Sequence, residues 1–375
     1  MKVIPLILMG CGGVGLQLID HIITCRELHA IKGVMLRFIG VCDSRSLVLV
    51  NDLSKGELRE DALEEIRRVK SSGSYLSTLN YDGCHVIEYP AVDKKLIEVG
   101  GLLASSTGLV YIDCSASADT IIILKSVIEI GCFAVLANKK PLTSDIDIYD
   151  KLVSCPRHIR YESTVGAGLP VITSLNRLLT SGDPVHRIIG SVSGTLGYVM
   201  SELEDGKPFS EVVRAAKQLG FTEPDPRDDL SGMDVARKAL ILFRLLGGRT
   251  NIGNIKVESL YSDLMGPEKM STQDFLDNGL EMLDDELKKK VNVASSTGNV
   301  LRYVCVIEGS SCQVGLLEVP QNSPLGRLKG SDNLIEIYSR CYRELPLVIQ
   351  GAGAGNDTTA AGVLADIVDL QDLFH

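Results

Sequence analysis

Apolar positions open the chain in a strand pattern. Val3-Ile4-Pro5-Leu6-Ile7-Leu8-Met9 is a short hydrophobic run, of the length expected for a strand buried on both faces. Glycines follow at once, in Gly10-Cys11-Gly12-Gly13-Val14-Gly15. Apolar residues then recur at helical spacing at Val14, Leu18, Ile19, Ile22 and Ile23. A second run, Leu36 to Cys42, reads as a strand ending at Asp43. Residues 51–101 are charged and polar, with one helical stretch from Asp61 to Lys70, and read as a peripheral insertion. The alternation then resumes. Tyr111 to Ser115 reads as a strand, Thr120 to Ile130 as a helix stopped by Gly131, and Cys132 to Leu136 as a strand that opens onto Ala137-Asn138-Lys139-Lys140-Pro141.

Alternating strands and helices predict an α/β fold with a Rossmann-type, doubly wound nucleotide-binding domain. The later half has a different pattern. Val304 and Val306, Val314 and Leu316, Ile335 and Ile337, and Leu347 and Ile349 alternate at strand spacing. They predict antiparallel strands of a second, α+β domain. The tail from Gly351 to Gly362 is another glycine turn leading into a helix. The expected organisation is a dinucleotide-binding domain over 1–150, completed by a C-terminal helix in 351–375, and a substrate-binding and dimerisation domain over 151–350.

The first glycine cluster has the strand-before, helix-after context that gives GxGxxG its meaning. Gly10 permits the tight turn, Gly12 lets backbone approach a pyrophosphate, and Gly15 allows close helix–strand packing. Gly13 and Val14 supply backbone N–H groups at the helix start, where phosphate is favoured. At the end of the second strand, Asp43 suits a ribose hydroxyl and so NAD, whereas Arg45, two residues after Asp43 across Ser44, suits the 2′-phosphate of NADP. The sequence leaves both open. Ser115, at another strand's carboxyl end, is a further cofactor contact.

Composition narrows the class. The 375 residues carry a net charge of −10, which argues against a nucleic-acid or anionic-membrane surface. No apolar run is long enough for a membrane span. The chain enters its first strand directly, so a cytoplasmic protein without a leader is expected. Ten scattered cysteines form no CxxC pair and read as free thiols. Six unclustered histidines make a zinc site unexpected.

Phe221 to Lys238 concentrates the charged chemistry. Pro224 and Pro226 stiffen an acidic loop from Glu223 to Arg227. A helix capped at Asp229 or Ser231 follows, running to Gly247-Gly248. Asp234 and Lys238 are four apart and share a face of it. An acid–lysine pair at that spacing is commonly just a solvated surface pair. Here the helix is otherwise apolar, so its charges are expected to face a cleft. The Glu162 to Pro170 stretch, with Gly166 and Gly168, reads either as a tight strand-to-helix turn or as carbonyls converging on a hard cation with Glu162.

In order along the chain, the Gly10–Gly15 turn, Ala137 to Lys140, Glu162 to Pro170, Ser193-Gly194-Thr195, Gly220 to Lys238 and Gly351 to Gly362 together resemble the homoserine dehydrogenase family. The resemblance implies NADP- or NAD-dependent, reversible hydride transfer between aspartate 4-semialdehyde and L-homoserine, in threonine, methionine and isoleucine biosynthesis. It implies Lys238 as the catalytic lysine with Asp234 as partner, and Lys139 beside substrate and nicotinamide. It assigns substrate binding to Glu223, Asp229, Thr195, Gly194 and Gly220, and a cofactor contact to Gly355. Sodium or potassium would be held by Glu162 and the carbonyls of Val165, Ala167 and Leu169. A homodimer, and no aspartokinase or ACT regulatory domain, are also expected. Phe221 departs from relatives that carry tyrosine there. A phosphorylating semialdehyde dehydrogenase would need a nucleophilic cysteine that no turn here provides. A silent dinucleotide sensor would have no use for this charged set.

Overall fold

The opening apolar run is strand β1 (Lys2–Met9), buried from Ile4 onward. It is flanked by β2 (Val34–Cys42) and β5 (Val110–Asp113), both parallel to it. The computed structural model describes residues 1–79 and 81–374. With β3 (Ser46–Val50), β4 (Cys84–Glu88), β6 (Phe133–Leu136) and β7 (Ile159–Arg160), these strands form a seven-stranded sheet in the order β4-β3-β2-β1-β5-β6-β7. From β1 the chain moves one way to β2 and later the other way to β5. The carboxyl ends of β1, β2 and β5 therefore meet at a topological switch point, where open α/β sheets bind ligands.

Residues 51–101 are not a peripheral insertion. β4 and the helix Ala91–Leu103 belong to the sheet unit, with β4 pairing antiparallel to β3 at the edge beyond β2. The pattern hid this because β4 is only half-buried and polar, as edge strands usually are.

The chain divides into a first unit, Met1–Gly168 with Gly355–His375, and a second, Leu169–Ala354. The boundary lies beyond residue 150 because β7 adds to the first sheet. The tail joins the first unit at Gly355 and not at 351, because β13 (Leu347–Ala352) pairs with β12 (Asp332–Ser339) in the second sheet. The tail's helix, Asn356–Asp369, packs on the helix Gly13–Thr24.

The second unit has a six-stranded sheet in the order β13-β12-β8-β10-β11-β9, where β8 is Val185–Ser191, β9 Lys256–Val257, β10 Asn299–Glu308 and β11 Ser311–Pro320. All neighbours are antiparallel except β9 and β11. Ile189, Val300, Val304, Val306, Val319 and Leu334 pack into one cluster with Leu325 and Leu328. The helices Gly194–Glu204, Met233–Leu245 and Glu281–Ser296 pack on β10. Among the described residues no helix is long and apolar enough to cross a membrane. The ten cysteines are unbridged, with Cys11, Cys42, Cys132 and Cys305 buried.

Candidate active site

In the first unit each glycine of the turn has its own steric reason. Gly10 lies at φ +97°, and a side chain there would meet the Ser115 backbone at 2.6 Å. A Cβ on Gly15 would sit 2.1 Å from the Gly10 carbonyl oxygen, and one on Gly13 would enter Asn356. Over Gly12 there is open space. Gly12 caps the helix Gly13–Thr24 in an extended conformation, leaving the N–H groups of its first turn in the arrangement that suits a pyrophosphate. The residues therefore fit a dinucleotide. Gly355, at φ +123°, begins the tail's helix beside this turn.

At the end of β2 the two candidate residues have different surroundings. Asp43 is buried. Its Oδ1 accepts from the N–H groups of Arg45 and Ser46 and from the Ser46 hydroxyl. Its Oδ2 accepts from Lys70 Nζ and Leu76 N–H, each at 2.9 Å. Burial pushes this carboxyl up, but those donors, led by the N–H groups of Leu76 and Arg45, bring it below its ordinary value. Asp43 thus organises its own loop. Ser44 and Arg45 are exposed, and the Arg45 guanidinium stacks 3.9 Å above the Tyr75 ring.

At the carboxyl ends of β5 and β6, Asp113 forms a buried hub that the sequence reading passed over. It accepts from Ser115 N–H, the Thr120 hydroxyl and Asn138 Nδ2, at 2.9, 2.7 and 3.0 Å. Burial raises its pKa against those bonds. The hub fixes the loop that carries half-buried Lys139, whose carbonyl accepts from Thr143 N–H. The buried Cys11 thiol is also pushed up, by burial and then by Asp43, which disfavours a thiolate.

The Glu162 to Gly168 stretch holds Gly166 at φ +80° and Ala167 at φ +56°, a conformation rare for alanine. Glu162 is buried, and its N–H donates to the buried Asp366 carboxylate at 2.9 Å. Burial lifts Asp366 to about 7, opposed by that N–H and reinforced by the Glu162 charge. Glu162 and Asp366 thus bring two buried carboxyl groups to this turn. Leu169 is the first residue of the second unit, and its carbonyl accepts from Val171 N–H at 2.8 Å. Among the described residues no cluster of three or more His, Cys, Asp or Glu could hold a metal.

The second unit gathers the other charged residues. Lys238 is buried in the middle of the helix Met233–Leu245, which starts at Gly232 rather than at Asp229 or Ser231. A single helical turn, Arg227–Leu230, precedes it. Gly232 has φ +74°, and a side chain there would lie 1.9 Å from the Tyr303 hydroxyl. Only glycine closes that corner. Lys238 Nζ donates to the Val192 carbonyl at 2.6 Å and lies 2.8 Å from Asp234 Oδ2. Asp229 accepts from the Thr195 hydroxyl at 3.1 Å and from Glu223 N–H at 2.9 Å. Burial raises the Asp229 carboxyl against both bonds. Glu223 is exposed.

Arg227, buried and not singled out from the sequence, anchors this loop. It donates to Asp225, to the carbonyls of Met265 and Met270 and to the Thr272 hydroxyl, over the face of Phe275. Gly194 and Gly220 have backbone roles. A Cβ on Gly194 would come within 3.2 Å of the Ser331 carbonyl. Gly220, at φ +75°, ends the helix Phe209–Gln218.

The sequence model of the family described as homoserine dehydrogenase matches residues 170–368. The chain is 35% identical, over its whole length, to a bifunctional aspartokinase/homoserine dehydrogenase of Haemophilus influenzae, and spans 43% of that protein. It is 39% identical to a homoserine dehydrogenase of Paracoccidioides brasiliensis, over 65% of this chain and 69% of the relative. The fold is shared with a hyperthermophilic archaeal homoserine dehydrogenase solved in complex with NADPH, at a TM-score of 0.73 and 22% identity, covering 100% of this chain and 99% of the other. By the family match and these identities, the chain belongs to the homoserine dehydrogenase family.

Proposed function

We propose that this chain catalyses the reversible interconversion of aspartate 4-semialdehyde and L-homoserine, with NADP preferred over NAD. The observation that supports it most is the buried Lys238 amine, aimed by the Val192 carbonyl and Asp234. When bound, the nicotinamide cofactor supplies the hydride. An ammonium has three donors. Two are engaged by Val192 and Asp234, and the third is assigned to the aldehyde oxygen. There Lys238 stabilises charge as it builds on oxygen and then supplies the proton. In the oxidation direction the same nitrogen takes the hydroxyl proton. Glu223 is assigned to the substrate ammonium, and Asp229 with Thr195 holds its loop in place. Lys139 is a second candidate for steering the reacting oxygen.

The NADP preference follows from the end of β2. Asp43 is engaged by its own loop, while Arg45 presents a stacked, exposed guanidinium of the kind that binds phosphate. Sodium or potassium is assigned to Glu162 with the Val165 and Ala167 carbonyls, and a homodimer is assigned to the enzyme in solution.

The test follows reduced-cofactor absorbance during homoserine oxidation with NADP and NAD, with and without KCl. Lys238→Ala is expected to keep NADPH binding and lose kcat by about 10²- to 10⁴-fold. Near-normal turnover in that variant would remove Lys238 from its role. Absence of turnover by the parent protein with either cofactor would overturn the function.

A further inference from the structure

Pro224 and Pro226 have no N–H, so the stretch from Glu223 to Pro226 lacks two of its four backbone donors. Side chains hold it instead. The Phe221 carbonyl accepts from the Thr195 hydroxyl at 2.6 Å. Glu223 N–H donates to Asp229 Oδ2, and the Glu223 carbonyl accepts from the Thr222 hydroxyl, each at 2.9 Å. Asp225 accepts from the Arg227 guanidinium, through Nε at 3.0 Å and through a terminal nitrogen at 2.6 Å. Between these fixed points lies Pro224, exposed, with only its carbonyl to offer. That carbonyl accepts from Lys217 Nζ at 2.6 Å.

Lys217 is half-buried in the last turn of the helix Phe209–Gln218. A lysine there commonly serves the helix itself, by meeting its last carbonyls and its dipole. Here the helix end is closed without it. Gly220 has φ +75°. Phe221 N–H donates to the Ala216 carbonyl at 2.9 Å, Gly220 N–H to the Lys217 carbonyl at 3.1 Å, and Leu219 N–H to the Ala215 carbonyl at 2.9 Å. This is the Schellman closure, made by backbone alone. The Lys217 ammonium reaches past that closure, seven residues along the chain, to the residue next to Glu223. A charged donor on a carbonyl is among the stronger single hydrogen bonds.

Glu223 is itself exposed. A carboxylate on a flexible side chain meets a ligand in one direction only as far as its backbone is held. We infer that Lys217 is a positioning residue for substrate recognition: by holding the Pro224 carbonyl, it fixes the backbone from which Glu223 meets the substrate ammonium. The inference rests on the assignment of Glu223 in the proposed reaction. Lys217 acts through Glu223 and not on the substrate.

The test is steady-state homoserine oxidation by the full chain, as parent, Lys217→Met, Glu223→Gln and the double variant. Methionine keeps an apolar stem and removes the donors. Lys217→Met is expected to raise KM for homoserine about tenfold, the scale of one charge-assisted bond. Both kcat and KM for NADP should stay within about twofold, as for a loss confined to substrate binding. The double variant is expected to match Glu223→Gln alone, because the lysine then has no carboxylate to aim. A lysine that only supports the fold would lower the melting temperature and leave KM for homoserine unchanged, which would overturn the inference. Multiplied KM effects in the double variant would also overturn it, since Lys217 would then act by another route. If the parent oxidises homoserine and Glu223→Gln keeps the parental KM, Glu223 loses its assignment and Lys217 loses its role, while the reaction stands. A parent without turnover removes the reaction itself, and the inference with it.

Discussion

Asp43 and Arg45 are two residues apart and have opposite surroundings, one buried and one exposed. Asp43 is buried against Lys70 and Leu76, so its replacement should unfold a loop rather than change a cofactor. Asp43→Ala is expected to lower stability by about 1–3 kcal/mol, with the NADP/NAD ratio of kcat/KM unchanged among molecules that remain folded. Arg45→Ala is expected to do the reverse. It should raise KM for NADP by about tenfold or more, the scale of one lost charge-assisted bond, and leave NAD nearly untouched. Chemical denaturation and steady-state kinetics with both cofactors separate the two. A ratio that moves with Asp43 and not with Arg45 would return the adenosine end to the acid. From the sequence both residues were visible as candidates. Their surroundings were not, because the partners of Asp43 stand 27 and 33 residues away.

At the scale of the element, the helix Met233–Leu245 and the acidic loop before it show how far local rules reach. The spacing of four between Asp234 and Lys238 dictates a shared face on any helix. The sequence could not supply the Val192 carbonyl, which is 46 residues away on the chain from Lys238. By composition Asp229 and Ser231 are good caps and point to an earlier helix start. Packing of Gly232 under Tyr303 overrides that preference. Gly232→Ala should therefore cost more than the usual helix-start substitution. It combines a positive φ with a contact of 1.9 Å to the Tyr303 hydroxyl. A loss of about 2–4 kcal/mol is expected by analogy with overpacked sites, together with a large fall in kcat. A melting temperature within error of the parent would refute the close packing.

The loop itself has a pH signature. Hydrogen bonding from Arg227 holds the Asp225 carboxyl down at about 2. With a depressed folded-state pKa, its contribution is present above about pH 4 and is lost as pH falls towards about 2. Asp225→Asn should remove that part of the acid-side slope. The effect should be at most about 2 kcal/mol after solvent screening, as read from stability against pH.

The whole molecule divides where its sheets divide. The tail's helix, Asn356–Asp369, completes the first unit. Asn356 lies against Gly13, and His21 Nε2 is 2.8 Å from Asp357. Removal of residues 356–375 is expected to weaken NADPH binding by at least about tenfold, because the glycine turn loses the neighbour that fixes it. Cofactor fluorescence titration of the truncated chain reads this directly. Undiminished affinity would show that the glycine turn holds its shape without the tail.

The sequence by itself determined the glycine turn, the parallel strand–helix alternation, the antiparallel character of the second sheet and the Asp234–Lys238 pair. Each follows from periodicity or from backbone sterics within a few residues, and such constraints are written in the local order of side chains. Only the tertiary structure decided that β4 is an edge of the first sheet and that Asp43 faces inward. The same holds for Arg227 as the anchor of the acidic loop. Those outcomes depend on which hydrogen-bonding groups far apart in the chain are brought together and shut off from water, and no local pattern specifies that.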